Sequence, residues 1–267
     1  MEPSLDEILE FALMLSHAAG EFILPLWNNT PVEFKADGTV VTKADRGAEE
    51  LLRGLISKRY PGHIILGEEH GGEWTRNADH LWILDPVDGT SAFSIGLPVF
   101  GTLIGYLRRG EPVVGIIGAH ALGETVYAAK DCGCWVRSDG DQPRRTYSSA
   151  VTDLAQSVAI GTIAHTDMDP CNPDPSFRAS WLYRDVRQFR GAADCISYAL
   201  LCKGRVEIAF DSRMKPWDIA ALVPCIREAG GIATALDGNE DVVWQPNLIA
   251  SANAELHAAI LKRIWAA

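Results

Sequence analysis

The segment Trp82-Ile83-Leu84-Asp85-Pro86-Val87-Asp88-Gly89-Thr90 changes abruptly from apolar to acidic. Its apolar start predicts a buried strand, and the proline after the first acid fixes φ in a turn. In such a turn both carboxylates can face one side while the Val87 carbonyl also points inward. Gly89 and Thr90 offer backbone N–H groups if a helix begins there, which is a common arrangement for binding phosphate. The segment therefore predicts a cation and phosphate site where a strand ends.

A second strand end is also acidic, because Gly67-Glu68-Glu69 follows the apolar run 64–66. Acids gathered at strand ends repel one another unless a cation compensates their charge. Carboxylate oxygens are hard ligands, which indicates Mg²⁺ rather than zinc, and we assign His70 to a surface loop. A lone D-x-x-D is more often a solvated turn. The complete run with Pro86, Gly89 and Thr90 favours the metal site.

The spacing of apolar residues predicts the order of elements along the chain. Helical spacing covers 5–26, with Ser4 and Glu7 as a capping box, and recurs over 45–60, 193–201, 217–229 and 256–265. Short apolar runs predict strands at 39–42, 64–66, 81–84, 102–107, 113–117, 125–129, 158–163 and 206–210. We expect an α+β half over 1–142 and an α/β half over 143–267, separated by a polar loop over 137–145 and acting as one catalytic unit.

The composition excludes several classes of partner. The chain of 267 residues has 24 Lys plus Arg against 35 Asp plus Glu, a net charge of -11, which disfavours nucleic acid and anionic membranes. Acidic residues within 5–26 argue against a membrane span, and the N-terminus does not read as a secretory signal. Six cysteines fit reduced thiols, and Cys132 with Cys134 lacks the second pair that a zinc site needs. We expect a cytoplasmic protein.

Three motifs together resemble the inositol monophosphatase family of Mg²⁺-dependent phosphatases. They are Gly67-Glu68-Glu69, Asp85-Pro86-Val87-Asp88-Gly89-Thr90 and Trp217-Asp218-Ile219-Ala220-Ala221, followed by Glu228-Ala229-Gly230-Gly231. Lys35 and Val41-Thr42-Lys43-Ala44-Asp45 are similar to the family's N-terminal active-site strand. Val87 replaces the usual Ile, which matters little where the backbone carbonyl is the ligand. The resemblance covers nearly the whole chain and implies a layered α-β-α-β-α sandwich and a homodimer.

The resemblance also implies a metal-ligand set. Glu68, Asp85 and the Val87 carbonyl would hold one Mg²⁺, and Asp85, Asp88 and Asp218 would hold a second. A carboxylate bridging two ions is common in hydrolytic two-metal sites, which agrees with this assignment. A third, weaker ion can lie near Glu68, since Mg²⁺ keeps several waters.

The mechanism we expect is in-line attack of water on phosphorus without a phosphoenzyme. Glu68 and Thr90 would orient and deprotonate the water, and Asp45 would accept a hydrogen bond from Thr90. Gly89, Thr90 and Lys35 would bind the phosphate. The substrate would be a small phosphate ester.

Local detail bears on which ester is hydrolysed. The segments 67–71, 90–105 and 193–198 look most like the bacterial histidinol-phosphate phosphatases of this superfamily, which act in histidine biosynthesis. Histidinol phosphate carries an ammonium and an imidazole, so its pocket should present carboxylates. Asp194 and Asp211 are candidates, although a helix cap and a turn explain them about equally well. The alternatives are an inositol-1-monophosphatase and a non-catalytic binding member of the fold.

A different phosphatase class, the haloacid dehalogenases, would need a D-x-D-x-T or D-x-D-x-V motif after a strand. Asp167-Met168-Asp169 follows a predicted strand, but Pro170 and Cys171 occupy the remaining positions. Such loose matches are common by chance, and this one leaves Glu68 and Asp218 unexplained. The loop 167–175 could instead cover the pocket or meet a second subunit.

Overall fold

A computed structural model describes residues 2–36, 38–162, 181–191 and 193–265. The loop 167–175, with the Asp167-Met168-Asp169 motif, lies outside these residues. The helices are α1 (Leu5–Ile23), α2 (Lys43–Arg59), α3 (Thr90–Ser94), α4 (Leu182–Asp185), α5 (Asp194–Cys202), α6 (Pro216–Ile219), α7 (Leu222–Glu228) and α8 (Ala254–Trp265). The strands are β1 (Val32–Phe34), β2 (Val40–Thr42), β3 (Ile64–Gly67), β4 (His80–Asp88), β5 (Gly101–Arg108), β6 (Glu111–Ala119), β7 (Glu124–Ala129), β8 (Gly133–Ser138), β9 (Arg144–Thr146), β10 (Val158–Thr162), β11 (Gln188–Gly191), β12 (Ile208–Asp211), β13 (Ile232–Thr234) and β14 (Leu248–Ser251).

The described strands form two larger sheets and one hairpin. A 7-stranded sheet runs in the order β3-β4-β5-β6-β7-β8-β9, in which β3 and β4 are parallel and every other pair is antiparallel. A 5-stranded sheet has the order β11-β10-β12-β14-β13, with parallel pairs only around β10. The hairpin joins β1 and β2. The first sheet is therefore mostly antiparallel.

The two sheets and their helices build five layers, α-β-α-β-α, as expected. Alternation along β4 shows the arrangement, because Trp82 and Leu84 face a core shared with α1 and α2, whereas Leu81 and Ile83 face α5 and α7. The second sheet packs α5 and α7 on one face and α4 and α8 on the other. The middle helical layer therefore joins the two sheets.

The first helix belongs to this core. Within the described part of the chain, one segment, Leu5–Leu26, is long and apolar enough to cross a membrane, with a mean hydropathy of 1.3. Its acidic residues therefore do not exclude a span by themselves. The packing is the stronger argument, since Ile8, Ala12 and Leu15 are fully buried and α1 contacts β5 and β6. Core helices commonly have this composition.

Two predicted elements differ from the structure. The polar stretch 137–145 is not only a loop, because its ends belong to β8 and β9, which pair with each other at the sheet edge. The side chains of an exposed edge strand can be polar on both faces. A search for apolar periodicity does not detect such a strand. The predicted helix 217–229 is two helices, α6 and α7, that meet at Ala220 and Ala221. The division of the chain at 142/143 stays a prediction.

Two glycines on neighbouring strands let this helix junction approach the first sheet. A methyl group at Gly105 would lie 2.7 Å from the Ala220 Cβ, and one at Gly115 would overlap the Ala221 carbonyl oxygen. Because backbone atoms cannot move aside cheaply, no larger residue fits at Gly115 without displacing α6 and α7.

We expect Gly115→Ala to destabilise the protein by about 2 kcal/mol, or roughly 5 °C in Tm, because overpacking forces the helix junction away from the sheet. Gly54→Ala is the matched control, since nothing lies within 4 Å of a methyl group there. That substitution should raise Tm slightly because alanine favours the helix. Thermal unfolding followed by circular dichroism measures both, and equal Tm values for the two variants would contradict the packing argument.

Candidate metal centre and active site

Three carboxylates from distant parts of the chain meet at one end of the first sheet. Asp85 and Asp88 lie at the end of β4, where the pairing with β5 shifts register, and Asp218 lies in α6. One carboxylate oxygen from each can be chosen so that all lie within 4.8 Å of one another. The irregularity in β4 turns both of its acids to the same side. Carboxylate oxygens at this separation suit a hard divalent cation.

The position of Asp218 depends on its helix start. Pro216 opens α6, and the Lys215 backbone N–H donates to the Asp218 carboxylate at 2.6 Å. The close packing of Ala220 and Ala221 on Gly105 and Gly115 holds that helix against β5 and β6. The sheet therefore fixes this acid opposite the β4 turn.

Glu68 lies beside the cluster and bonds to a lysine. Its backbone N–H donates to the Leu84 carbonyl at 3.2 Å, which ties the Gly-Glu-Glu turn to β4. The Lys35 ammonium donates to the carboxylates of Glu68 at 2.9 Å and Glu69 at 2.6 Å. Burial opposes the charge on Lys35, but these two hydrogen bonds raise the pKa of its ammonium above the usual range. Lys35 thus supplies positive charge at the edge of the cluster.

Burial and mutual repulsion perturb the three clustered acids. Burial raises the pKa of Asp85 well above its usual value, and the charges of Glu68, Asp88 and Asp218 add to the effect. Burial followed by the charges of Asp194 and Asp218 does the same for the pKa of Asp88. Burial is also the main reason that the pKa of Asp218 rises to about 7. A cation among these groups would relieve the repulsion, so the residues present fit a metal site.

The turn after Asp88 carries a hydroxyl that is held on both sides. Gly89 adopts a left-handed conformation with φ of 85° and caps α3. The Thr90 hydroxyl lies 2.9 Å from a carboxylate oxygen of Asp45 and 2.9 Å from the Val87 carbonyl. The other Asp45 oxygen accepts from the backbone and the hydroxyl of Thr42, at 2.8 and 2.6 Å. The expected pairing of Thr90 with Asp45 is present.

A cavity of about 160 Å³ opens next to the cluster. Its lining includes both candidate substrate acids and two of the clustered acids; the full set is Asp88, Thr162, Asp194, Cys195, Tyr198, Asp211, Ser212, Arg213, Met214, Asp218 and Leu222. The Asp211 carboxylate accepts from the Tyr198 hydroxyl at 2.7 Å and from the Thr162 backbone N–H at 2.9 Å. Burial raises the pKa of Asp211 to about 8 and also raises the pKa of Asp194.

Asp194 is not the N-cap of its helix, and Asp211 is not part of a turn, although their sequence positions allow those roles. Asp194 is the first residue of α5 with φ of 42°, and its N-cap, Ala193, makes no side-chain cap. Its carboxylate lies next to Gly89, where an added methyl group would approach it to 3.0 Å. Asp211 is the last residue of β12 rather than part of a turn.

Two residues that sequence motifs did not identify also belong to this region. Glu49 is fully buried on α2 and accepts hydrogen bonds from the turn that carries Glu68. Tyr198 lies one helical turn after Asp194 and bonds to Asp211. Charged residues spaced by four along α2, and a tyrosine at i+4 from a candidate acid, are the signals that could have identified them.

Other predicted roles have simpler outcomes. Cys132 is exposed, whereas Cys134 is buried in the core. Trp217 packs against the core. His70 is exposed.

A cluster of acids beside a hydroxyl-bearing helix start, in a five-layered α-β-α-β-α fold, defines a metal-dependent phosphatase that acts on small phosphate esters. The chain belongs to the inositol monophosphatase family, whose model matches residues 4–267. Solved structures of this fold include ones with bound Mg²⁺ and with Ca²⁺.

The relatives of the chain differ in the activity for which they are named. The chain is 34% identical to a histidinol-phosphatase of Chlorobaculum parvum over 92% of each chain, and 36% identical to a histidinol-phosphatase of Mycobacterium tuberculosis over 87% of each. Among solved structures it is similar to the Thermotoga maritima IMPase, with a TM-score of 0.83 and 30% identity over 97% of this chain and 96% of that one.

Proposed function

We propose that the protein is a Mg²⁺-dependent histidinol-phosphatase that hydrolyses L-histidinol phosphate to L-histidinol and phosphate. The observation that carries this proposal is the acidic cavity beside the metal cluster, where Asp194 and Asp211 face the space for the alcohol half of the ester. Burial raises the pKa of both acids, and a cationic ligand would offset that by favouring their ionised forms. The ammonium and the imidazole of the ester could then make charge-assisted hydrogen bonds, which are the stronger kind. The named histidinol-phosphatase relatives support the same substrate.

The metal would be held by Glu68, Asp85, Asp88, Asp218 and the Val87 carbonyl, as two ions with a third, weaker one near Glu68. All these donors are oxygens, which suits Mg²⁺. When bound, Mg²⁺ lowers the pKa of water and neutralises charge on phosphate and leaving oxygen.

Side chains and backbone N–H groups of the chain would orient the water, take up its proton and bind the phosphate. Thr90, held by Asp45, orients the attacking water together with Glu68, which takes up the water's proton. The backbone N–H groups at Gly89 and Thr90 bind the phosphate oxygens, and Lys35 adds positive charge at the rim. The leaving alkoxide departs toward the cavity that contains Asp194.

The main alternative substrate is myo-inositol 1-phosphate, because the similar Thermotoga maritima structure is named an IMPase. Inositol is a neutral polyol, so it needs hydroxyl partners but no net negative charge. Asp194 and Asp211, the two cavity acids that are not proposed metal ligands, are a costly way to bind it, since each is desolvated without an opposite charge on the ligand. The acidic wall therefore favours the cationic ester.

Comparing kcat/KM for L-histidinol phosphate and myo-inositol 1-phosphate tests the substrate. We expect Asp194→Asn to lower kcat/KM for histidinol phosphate by about 10- to 100-fold, as expected for losing one charged hydrogen bond, and to change inositol phosphate by less than about threefold. Asparagine tolerates the left-handed backbone of Asp194, so the fold should persist. Equal losses on both esters, or a wild type that prefers inositol phosphate, would contradict this substrate.

We also propose a cytoplasmic location, which the 5 free cysteines among the described residues support. The homodimer stays a prediction that light scattering after size exclusion would test.

A further inference from the structure

A buried acid on α2 holds the turn that carries Glu68. The Glu49 side chain is fully buried, and its carboxylate accepts from the backbone N–H groups of Glu69 at 2.7 Å and His70 at 3.2 Å. A methyl group at Gly67 would overlap the same carboxylate. The backbone is therefore held on both sides of Glu68 by one side chain.

An arginine completes this arrangement. Arg53, one turn further along α2, donates from Nε to Glu49 at 2.7 Å. Its guanidinium also donates to the carbonyls of Gly71 and, at 3.5 Å, Ile65. The pair thus contacts the strand before the Gly-Glu-Glu turn and the loop after it.

The ion pair joins a fully buried Glu49 to a partly buried Arg53, and such a pair is weak evidence of a purely stabilising role. Removing two charges from water costs several kcal/mol per ion, and apolar replacements of such pairs are often as stable. Ion pairs of this kind are better explained where they select one geometry over others. Here the geometry they select is that of the turn at Glu68.

The same face of α2 also reaches the second loop of the site. Asp45, Glu49 and Arg53 are spaced by four residues, so they line one side of the helix. Asp45 bonds to Thr90 at 2.9 Å, whereas Glu49 bonds to the turn at Glu68. A helix is rigid over two turns, so it fixes the two loops relative to each other.

We propose that this face of α2 is a spacer that sets the separation between Glu68 and Thr90, with Glu49 and Arg53 as positioning residues. The proposal rests on the proposed function, in which those two groups act on the same water. Glu49 touches neither substrate nor metal and acts only through the backbone around Glu68.

Glu49→Gln tests the proposal, because glutamine keeps one acceptor oxygen but turns an NH₂ group toward donors. We expect Mg²⁺ affinity, measured by calorimetry, to fall about tenfold and kcat at saturating Mg²⁺ to fall at least tenfold, with KM for histidinol phosphate changed less than twofold. Glu50→Gln is the matched control, since Glu50 is the exposed neighbour on the same helix. It should match the wild type in all three values.

The double variant Glu49→Gln/Arg53→Met separates positioning from folding. It removes both charges of the pair and so leaves no uncompensated buried charge, and we expect its Tm to recover toward the wild-type value while Mg²⁺ affinity and kcat stay low. Recovery of all three would show that the pair only stabilises the fold and would overturn the proposal.

The two proposals fail in different ways. If the wild type hydrolyses the ester and Glu49→Gln equals it in kcat and Mg²⁺ affinity, the spacer is wrong and the phosphatase function stands. If the wild type binds Mg²⁺ but hydrolyses neither ester, the proposed function is wrong. The Mg²⁺ affinity of Glu49→Gln then still tests whether α2 acts as a spacer.

Discussion

Asp88→Asn is expected to lower kcat by about a thousandfold or more, because it removes a proposed metal ligand from the acidic cluster. The fold should survive the change. Asp88 accepts a hydrogen bond from the Cys195 backbone N–H at 2.6 Å, and the asparagine carbonyl oxygen can accept the same bond. The loss of turnover is therefore not a loss of structure.

The metal-free protein provides a second readout for Asp88→Asn. Since the charges of Asp194 and Asp218 oppose ionisation of Asp88, the neutral amide should leave Tm unchanged or raise it without Mg²⁺. Added Mg²⁺ should then raise the variant's Tm less than the wild type's, because ligand binding to the native state stabilises it. Asp79→Asn, at an acid that is 80% exposed, is the control and should behave as the wild type. Near-normal turnover by Asp88→Asn at saturating Mg²⁺ would exclude Asp88 as a ligand.

Thr90→Val should lower kcat by about 100- to 1,000-fold, as expected when a group that positions and helps to deprotonate water is removed. Valine matches threonine in shape but cannot bond to Asp45 or to the Val87 carbonyl. It leaves a buried carboxylate oxygen of Asp45 with one partner fewer, so we also expect a destabilisation of about 1–3 kcal/mol.

Thr90→Ser is the control for Thr90→Val because it keeps the hydroxyl. Its kcat should stay within about tenfold of the wild type, since only one methyl group is lost. Steady-state kinetics on histidinol phosphate with both variants, alongside urea unfolding, separates the two effects. A serine variant as inactive as the valine variant would mean that the methyl group, and not the hydroxyl, is what the site requires.

Both predictions depend on residues that sequence motifs identified. The acids at 68, 85 and 88 could be found because strand ends are marked by local patterns of Gly, Pro and apolar residues, whereas Asp218 followed from the family resemblance. The pairing of Thr90 with Asp45 followed from a family resemblance, and the structure brings the two to 2.9 Å. Local patterns can identify such residues because a few neighbouring residues determine the conformation of each turn.

The residues that hold these side chains in place could not be predicted from local patterns. Glu49 looks like an ordinary helix residue until α2 is packed against the Gly-Glu-Glu turn, and Tyr198 until α5 lies beside Asp211. The exposed edge strand at 144–146 has no apolar pattern to reveal it. Such contacts join residues far apart in the chain, so burial and pairing decide them rather than local propensity.

The amino-acid sequence by itself determined Glu68, Asp85, Asp88 and Thr90 as candidates, since these depend on motifs whose chemistry is local. Its resemblance to a known family added Asp218 and the five-layered fold. Only the tertiary structure decided that Asp194 and Asp211 share a cavity with the cluster, and that one face of α2 links Thr90 to the turn at Glu68. The reason is physical: which buried charges face each other depends on how the layers pack, and no single segment contains both partners.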